Sequence, residues 1–111
     1  MENRTLVEEQ IKKEIDMGRY IVCNDPPPLV SALGAIPKSA TSVRIIHDLS
    51  RPKGGLNKFA QNTSVHYPTL LDATKMMTGS SYLAKLDLTE AYRSIPVHEK
   101  CFNYTGLQWI F

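Results

Sequence analysis

The sequence has little cysteine, no long apolar run and no apolar segment behind its N-terminus. Its two cysteines, Cys23 and Cys101, are too few for a disulfide framework and form no Cys-x-x-Cys pair, so we read them as reduced thiols of an intracellular protein. No stretch approaches the roughly 18 apolar residues that span a bilayer, which predicts no membrane partner. The polar start at residues 1–4 argues against a signal peptide and secretion. Cytoplasm or nucleus, and the oligomeric state, stay open.

The sequence contains hydrophobic and charged residues in ordinary amounts, but its charges are unevenly distributed along the chain. Its 111 residues allow one domain at most, and 42% hydrophobic with 22% charged residues is typical of a globular protein. The net charge of +2 conceals an acidic segment at residues 1–16 and a basic one at residues 38–58. The basic residues of that second segment are Lys38, Arg44, Arg51, Lys53 and Lys58. Such a patch suits a phosphate-bearing ligand, with a plain solvated face as the alternative.

Hydrophobic periodicity predicts a leading helix and a hairpin in the first half of the chain. Thr5 and Glu8 fit a capping box, and Val7, Ile11 and Ile15 recur at helical spacing, which predicts a helix ending near Gly18. Residues 32–38 and 42–48 are expected to form two strands joined by a short turn at 39–41, and the second of them is apolar and β-branched with charges interleaved.

The second half predicts a helix, a strand, a tight turn and a last strand. Thr69, with Asp72 three residues later, is the expected N-cap of a second helix, and this helix is expected to run through Met77. Residues 82–88 are expected to form a buried strand, followed by a turn over 89–94 and a final strand from about Tyr104. The predicted class is α+β with a mostly antiparallel sheet.

Asp87 is the first candidate for chemistry, because an apolar run that ends in a carboxylate must solvate it, pair it or give it a metal. One reading is an Asp that caps the following turn. The other is a ligand for Mg²⁺ in two-metal phosphoryl transfer, which needs at least one more acid. The chain offers Asp48, Asp72, Glu90 and Glu99, but no Asp-Asp pair.

Three further residues could serve the same chemistry. Lys38 and Arg44 flank the predicted hairpin turn, where cations can clamp a polyphosphate. The alternative is that they are charges protecting an edge strand. Tyr92 follows Asp87 by five residues and could stack under a sugar or base, or else be a core aromatic.

Four blocks, in this order, resemble the N-terminal fingers and the start of the palm of a retroelement reverse transcriptase, an RNA-directed DNA polymerase. The blocks are EIDMGRYI at 14–21, PLVSALGAIPK at 28–38 with VRIIHDLSRP at 43–52, GGLN at 54–57 with YPTL at 67–70, and LDLTEAY at 86–92 with IPVH at 95–98. HDLSRP at 47–52 and GLQW at 106–109 look nearer to DIRS-type or Ty3-like elements than to retroviruses.

The resemblance implies a division into a fingers region, 1–81, and the start of the palm, 82–111. It implies that Asp87 binds both Mg²⁺ ions, with the Leu88 carbonyl as a further ligand. Lys38 and Arg44 would hold the triphosphate of a deoxynucleotide, the backbone at Glu90 and Ala91 would meet the same phosphates, and Tyr92 would exclude a 2′-hydroxyl. The complete enzyme would extend a primer on an RNA or DNA template.

The chain departs from that family in one decisive respect, since it contains no Tyr-x-Asp-Asp motif. With an apolar, aromatic run at 104–111, this leads us to expect a fragment that does not polymerise DNA by itself. One alternative is a non-catalytic nucleic-acid-binding or interaction fragment retained from a retroelement. Another is a phosphatase of the haloacid-dehalogenase type with Asp87 as nucleophile, which the Thr at position 89 disfavours because that family has an acid there.

Overall fold

A computed structural model describes residues 4–111 and confirms the α+β class. Two helices and a three-stranded mixed sheet account for its main elements. They are α1 (Arg4–Asp16), β1 (Val30–Ser39), β2 (Ser42–Asp48), α2 (Leu70–Lys75) and β3 (Gly106–Leu107), with 3-10 helices at Leu56–Phe59, Ala91–Ser94 and Glu99–Tyr104. The strand order is β2-β1-β3, with β1 antiparallel to β2 and parallel to β3.

The predicted hairpin is present and is the largest part of the sheet. Ala32 pairs with Asp48 at its base and Ser39 with Ser42 at its tip, where the two hydroxyl oxygens lie 2.6 Å apart. The register shifts once, between Pro37 and Ser39. Apolar residues alternate with polar ones along β2, so one face of the hairpin is suited to pack against a helix.

Helix α1 covers that face and builds the core. Val7 and Ile11 of α1 are buried against Val43 and Ile45 of β2. The side chain of Arg44, between those two strand residues, is exposed on the opposite side. Five partly buried residues complete the cluster: Leu6, Ile15, Tyr20, Leu33 and Trp109.

The ends of α1 bear out one prediction and correct another. The expected capping box is wrong, because Arg4 and Thr5 already lie inside the helix and Arg4 Nε donates to Glu8 Oε1 at 2.8 Å. The predicted end near Gly18 is confirmed, since Gly18 has a φ of +70° and its amide donates to the Ile15 carbonyl at 2.9 Å.

The predicted last strand is wrong over most of its length. β3 has only two residues, and the chain then runs beside α1 without regular structure. Arg4 Nη2 donates to the Ile110 carbonyl at 2.6 Å, and the Arg4 guanidinium lies 5.8 Å from the centre of the Trp109 ring. Contact with the helix therefore takes the place of further pairing with β1.

Residues 60–89, which we call the arm, differ from everything above. Within the arm, the predicted capping box of α2 is confirmed, with Thr69 Oγ1 accepting from the Asp72 amide at 3.2 Å, but the helix ends at Lys75 rather than Met77. The predicted buried strand at 82–88 is wrong: this segment is exposed and, among residues 4–111, nothing pairs with it. A strand needs a neighbour to satisfy its backbone, and the fold supplies none.

Candidate functional site

Asp87 lies in the exposed, unpaired part of the arm. Its expected position at the end of a buried strand is therefore wrong, and its side chain is exposed rather than enclosed. In the part of the chain that the structure describes, it makes no hydrogen bond and no ion pair. Leu88, whose carbonyl was expected to assist it, is exposed as well. The carboxylate is thus accessible to a ligand but is not held in place by neighbouring side chains.

The turn that follows Asp87 is well ordered by its own backbone. Glu90 adopts the left-handed conformation (φ 52°, ψ 46°), which non-glycine residues seldom do. Its carbonyl accepts hydrogen bonds from the amides of Arg93 at 2.9 Å and Ser94 at 3.1 Å. Ala91 is half-buried, and Tyr92 is 91% exposed. Tyr92 is therefore not a core aromatic and presents its ring to solvent.

A buried carboxylate on α1 anchors this turn. Glu14 is 0% exposed and accepts from Gln10 Nε2 at 2.7 Å. Its other oxygen lies 3.4 Å from Arg19 Nη1 and 3.4 Å from Arg93 Nη1. One negative charge inside the fold is thus balanced by two guanidinium groups, which is what a buried charge requires.

The two arginines carry the connection from Glu14 to the rest of the turn. Arg19 forms an ion pair with Glu90. Arg93 donates to the Tyr20 hydroxyl at 2.9 Å and to the Ile45 carbonyl of β2 at 3.0 Å. The turn at 90–93 is thereby fixed to both α1 and the hairpin, although more than 70 residues separate it from Glu14 in sequence.

The ion pair is reflected in the titration of its members. The hydrogen bond from Arg19 lowers the pKa of Glu90, and the positive charges of Arg19, Lys13 and Arg93 act in the same direction, against a smaller opposing effect of burial. The same hydrogen bond with Glu90 raises the pKa of Arg19. Both groups are therefore charged at neutral pH, and the pair persists there.

Our sequence reasoning missed this network. Glu14 follows Val7 and Ile11 at positions i+7 and i+3, which places it on the buried stripe of α1. A carboxylate on an apolar face predicts a buried partner, and that signal could have been used. No pattern in the sequence identified Arg93 as the partner, because the contact depends on how the chain folds back.

The predicted cationic clamp at the hairpin is only partly assembled. Lys38 falls within the register shift near the tip, and Arg44 pairs across the sheet with Ile36; both side chains are exposed. Among residues 4–111 neither makes an ion pair, so both charges are available to an anion. Arg44 precedes Ile45, whose carbonyl accepts a hydrogen bond from Arg93. The turn at 90–93 therefore contacts the strand that carries Arg44.

The basic segment does not form one patch. Arg51, at the base of the hairpin, pairs with Asp48, and this hydrogen bond lowers the pKa of the Asp48 carboxyl. The six steps from Ser42 to Asp48 separate the tip from the base by about 20 Å. Charges that are close in sequence are therefore divided between the two ends of the hairpin.

The residues that could hold a magnesium ion here are Asp87 and, through its carbonyl oxygen, Leu88. Asp87 and the Leu88 carbonyl offer oxygen ligands, and Mg²⁺ commonly combines one or two carboxylates with water and substrate phosphates. Over residues 4–111 no three His, Cys, Asp or Glu side chains cluster as a metal site would need. The remaining ligands would have to come from the triphosphate and from water.

Comparisons with known proteins identify no relative of this chain. No protein-family model matches the chain, and no match was found among curated proteins or among solved structures. Separately, none of the helices within residues 4–111 combines the length and apolar character needed to cross a bilayer.

Proposed function

We propose that this chain is the fingers and the beginning of the palm of an RNA-directed DNA polymerase, of DIRS-type or Ty3-like character. One observation carries the proposal: the turn that bears Glu90, Ala91 and Tyr92 is anchored through Arg93 to β2, the strand that bears Arg44. A cationic hairpin and an exposed aromatic turn are thus parts of one folded unit, as a site for a deoxynucleoside triphosphate requires.

In this proposal each residue has a distinct task. Lys38 and Arg44 bind the triphosphate, for which the planar guanidinium offers two parallel hydrogen bonds. Asp87 holds the Mg²⁺ that accompanies the triphosphate, and that ion neutralises charge on the phosphates. The amides at Glu90 and Ala91 face the same phosphates, and Tyr92 packs under the sugar. The complete polymerase also binds an RNA or DNA template with its primer.

The chain alone is proposed to bind nucleotide without incorporating it. Two-metal transfer to a primer 3′-hydroxyl needs further carboxylates close to Asp87. The Tyr-x-Asp-Asp motif that would provide them does not occur in the 111 residues. We therefore expect no primer extension by the purified chain.

The test is titration of the chain with a fluorescent deoxynucleoside triphosphate in the presence of Mg²⁺. Binding should weaken at least about tenfold when Mg²⁺ is replaced by a chelator, or when Asp87→Asn removes the carboxylate charge, because a charged interaction of about 1.4 kcal/mol is lost. Arg44→Ala should have a similar effect. Tyr92→Ala should reduce the preference for the deoxynucleotide over the ribonucleotide.

Matched controls are available elsewhere in the chain. Asp25→Asn changes an exposed carboxylate in the proline-rich connector, and Lys53→Ala removes a cation at the far end of the hairpin. Both should leave binding unchanged. Equal losses from Asp25→Asn and Asp87→Asn, or binding that ignores Mg²⁺, would refute the nucleotide site. Asp87-dependent primer extension would refute the proposed inactivity.

A second candidate is a non-catalytic nucleic-acid-binding fragment. The observation that favours it is the spread of unpaired cations along the hairpin: Lys38 and Arg44 near the tip, and Lys53 and Lys58 beyond the base, all exposed. Charges distributed over about 20 Å match the phosphates of a strand better than a single triphosphate.

Salt dependence distinguishes this candidate. Binding of a labelled template–primer should fall steeply as salt rises, and Arg44→Glu and Lys53→Glu should each weaken it and reduce the salt slope. Binding that is insensitive to salt would exclude this candidate. If both variants weaken binding of the template–primer while only a change at Arg44 weakens binding of the nucleotide, the hairpin binds both ligands.

A further inference from the structure

The ring of Tyr92 has almost no packing of its own. It is 91% exposed, so neighbouring side chains do little to fix where the ring lies. A group that discriminates between two sugars by its bulk has to be held within about 0.5 Å of its working position. The position of Tyr92 must therefore be fixed through the backbone of the turn on either side of it.

The residue that follows Tyr92 is bound at several points. The guanidinium of Arg93 donates to the Tyr20 hydroxyl at 2.9 Å and to the Ile45 carbonyl at 3.0 Å. It also lies 3.4 Å from a carboxylate oxygen of Glu14 and 5.6 Å from the centre of the Tyr20 ring. These contacts connect one side chain of the turn to α1, to the segment after α1 and to β2.

The turn is also fixed on the other side of Tyr92. Glu90 forms an ion pair with Arg19, and its carbonyl accepts a hydrogen bond from the Arg93 amide at 2.9 Å. Positions 90 and 93 are thus both bound to the folded part of the chain, and Tyr92 lies between them. The place of its ring relative to the hairpin follows from these two attachments.

The proposed ligands of the metal and of the triphosphate lie outside this network. Asp87 precedes Glu90 by three residues, is exposed and, within residues 4–111, makes no hydrogen bond and no ion pair. Lys38 and Arg44 would bind phosphate through their own exposed side chains on the hairpin. The network can therefore be altered without removing any of these three side chains.

We propose that Arg93, anchored by Glu14, is a positioning residue that sets the preference for deoxyribose over ribose. This role presupposes the proposed nucleotide site. Arg93 faces α1 and β2 rather than the nucleotide and acts through Tyr92, whose ring it keeps in place relative to the hairpin that binds the triphosphate. The guanidinium is needed because its two terminal nitrogens serve three acceptors at once, which the single nitrogen of a lysine on its flexible stem does not match.

Arg93→Lys tests this role by titration with a fluorescent deoxynucleoside triphosphate and with the matching ribonucleoside triphosphate. The preference for the deoxynucleotide should fall by about threefold or more, because misplacing a positioned group by about 1 Å can cost about a hundredfold. The factor by which chelation of Mg²⁺ weakens binding should stay the same, since Asp87 is untouched. Arg51→Lys, at the ion pair with Asp48, is the matched control and should change neither quantity.

Two further variants separate positioning from a general loss of folding. In a Tyr92→Ala background, Arg93→Lys should cause no additional loss of preference, because the group that it positions is gone. Tyr20→Phe removes one acceptor of Arg93 but retains the aromatic ring, so the chain stays folded and the preference should still fall, by a smaller factor. Hydrogen exchange of the Ser94 amide, which donates to the Glu90 carbonyl, should become faster in Arg93→Lys and in Tyr20→Phe while the α1 amides stay protected.

Failure of the nucleotide site and failure of the positioning role give different results. If the wild type does not bind nucleotide, or binds it without a preference for deoxyribose, the proposed site or its assignment of Tyr92 is wrong and the positioning role falls with it. If the wild type shows the preference and both Arg93→Lys and Tyr20→Phe retain it, only the positioning role is overturned. The same holds if Arg93→Lys lowers the preference equally in the Tyr92→Ala background.

Discussion

The hairpin unit, residues 4–49, and the arm, residues 60–89, both contain apolar side chains but differ in whether those side chains are buried. In the hairpin unit Val7, Ile11, Val43 and Ile45 are buried against one another. In the arm leucine, methionine and tyrosine side chains are exposed, including those of the short helix α2. The difference is that α1 and β2 present apolar faces to each other, whereas within the described residues no element presents a face to the arm.

The comparison teaches that apolar content does not by itself make a core. Residues 82–88 are more apolar than β2, yet they form no strand, because a strand is defined by the neighbour that pairs with it. A helix, whose hydrogen bonds are internal, does not need such a neighbour: α2 forms in the arm with its Thr69–Asp72 capping box although none of its residues is buried.

The largest expected effect comes from truncating a buried side chain. Ile11→Ala should lower the free energy of unfolding by about 2–5 kcal/mol, because it removes packing at the centre of the α1–β2 contact. Leu70→Ala in the arm should change it by less than about 0.5 kcal/mol. Urea denaturation measures both. A comparable loss from Leu70→Ala would show that the arm belongs to the cooperative core.

The next effect concerns the charge that joins the two parts of the chain. Glu14→Gln should destabilise the fold by about 1–3 kcal/mol, because Arg19 and Arg93 lose their shared buried carboxylate. Glu9→Gln, on the exposed side of the same helix, is the control and should stay within about 0.5 kcal/mol. Urea unfolding again provides the measurement, and equal effects would mean that the network contributes no stability.

A smaller and purely local effect is expected from the helix cap of the arm. Thr69→Ala should destabilise α2 by about 1 kcal/mol, because the Asp72 amide loses its acceptor. The global free energy should not move. Hydrogen exchange at Asp72 and Ala73 reports the local change, and Thr74→Ala, whose hydroxyl donates to the Leu71 carbonyl, serves for comparison. Global destabilisation by Thr69→Ala would contradict the independence of the arm.

The smallest effect is a pH dependence at the turn. The pKa of Glu90 lies below its ordinary value of 4.5 because Arg19 donates to it, so its stabilising contribution is fully present above pH 4.5 and is lost as pH falls through the lower folded-state value. The stability difference between wild type and Glu90→Gln should therefore shrink on acidification. Urea titrations at several pH values measure it, with Glu99→Gln as the control. A stability difference that grows on acidification would contradict the lowered pKa of Glu90.

The sequence predicted the elements whose signals are local. The hairpin predicted at 32–48, the α1 stripe of Val7 and Ile11 and the α2 cap were all readable from periodicity and capping residues. The candidate site was predicted only as a set of residues. Lys38, Arg44, Asp87 and Tyr92 are all exposed. The connection of the turn that bears Tyr92 to Glu14 and to β2, through Arg93, depends on contacts between distant parts of the chain.

The amino-acid order by itself determined that α1 and α2 are helical, where the hairpin turns and which side of α1 is apolar, because these follow from bonds and spacings within a few residues. Only the tertiary structure decided that Glu14 is buried under Arg19 and Arg93, that Trp109 runs beside α1, and that residues 82–88 remain unpaired. The physical reason is that burial and strand pairing are properties of two surfaces, and a single segment specifies only one of them.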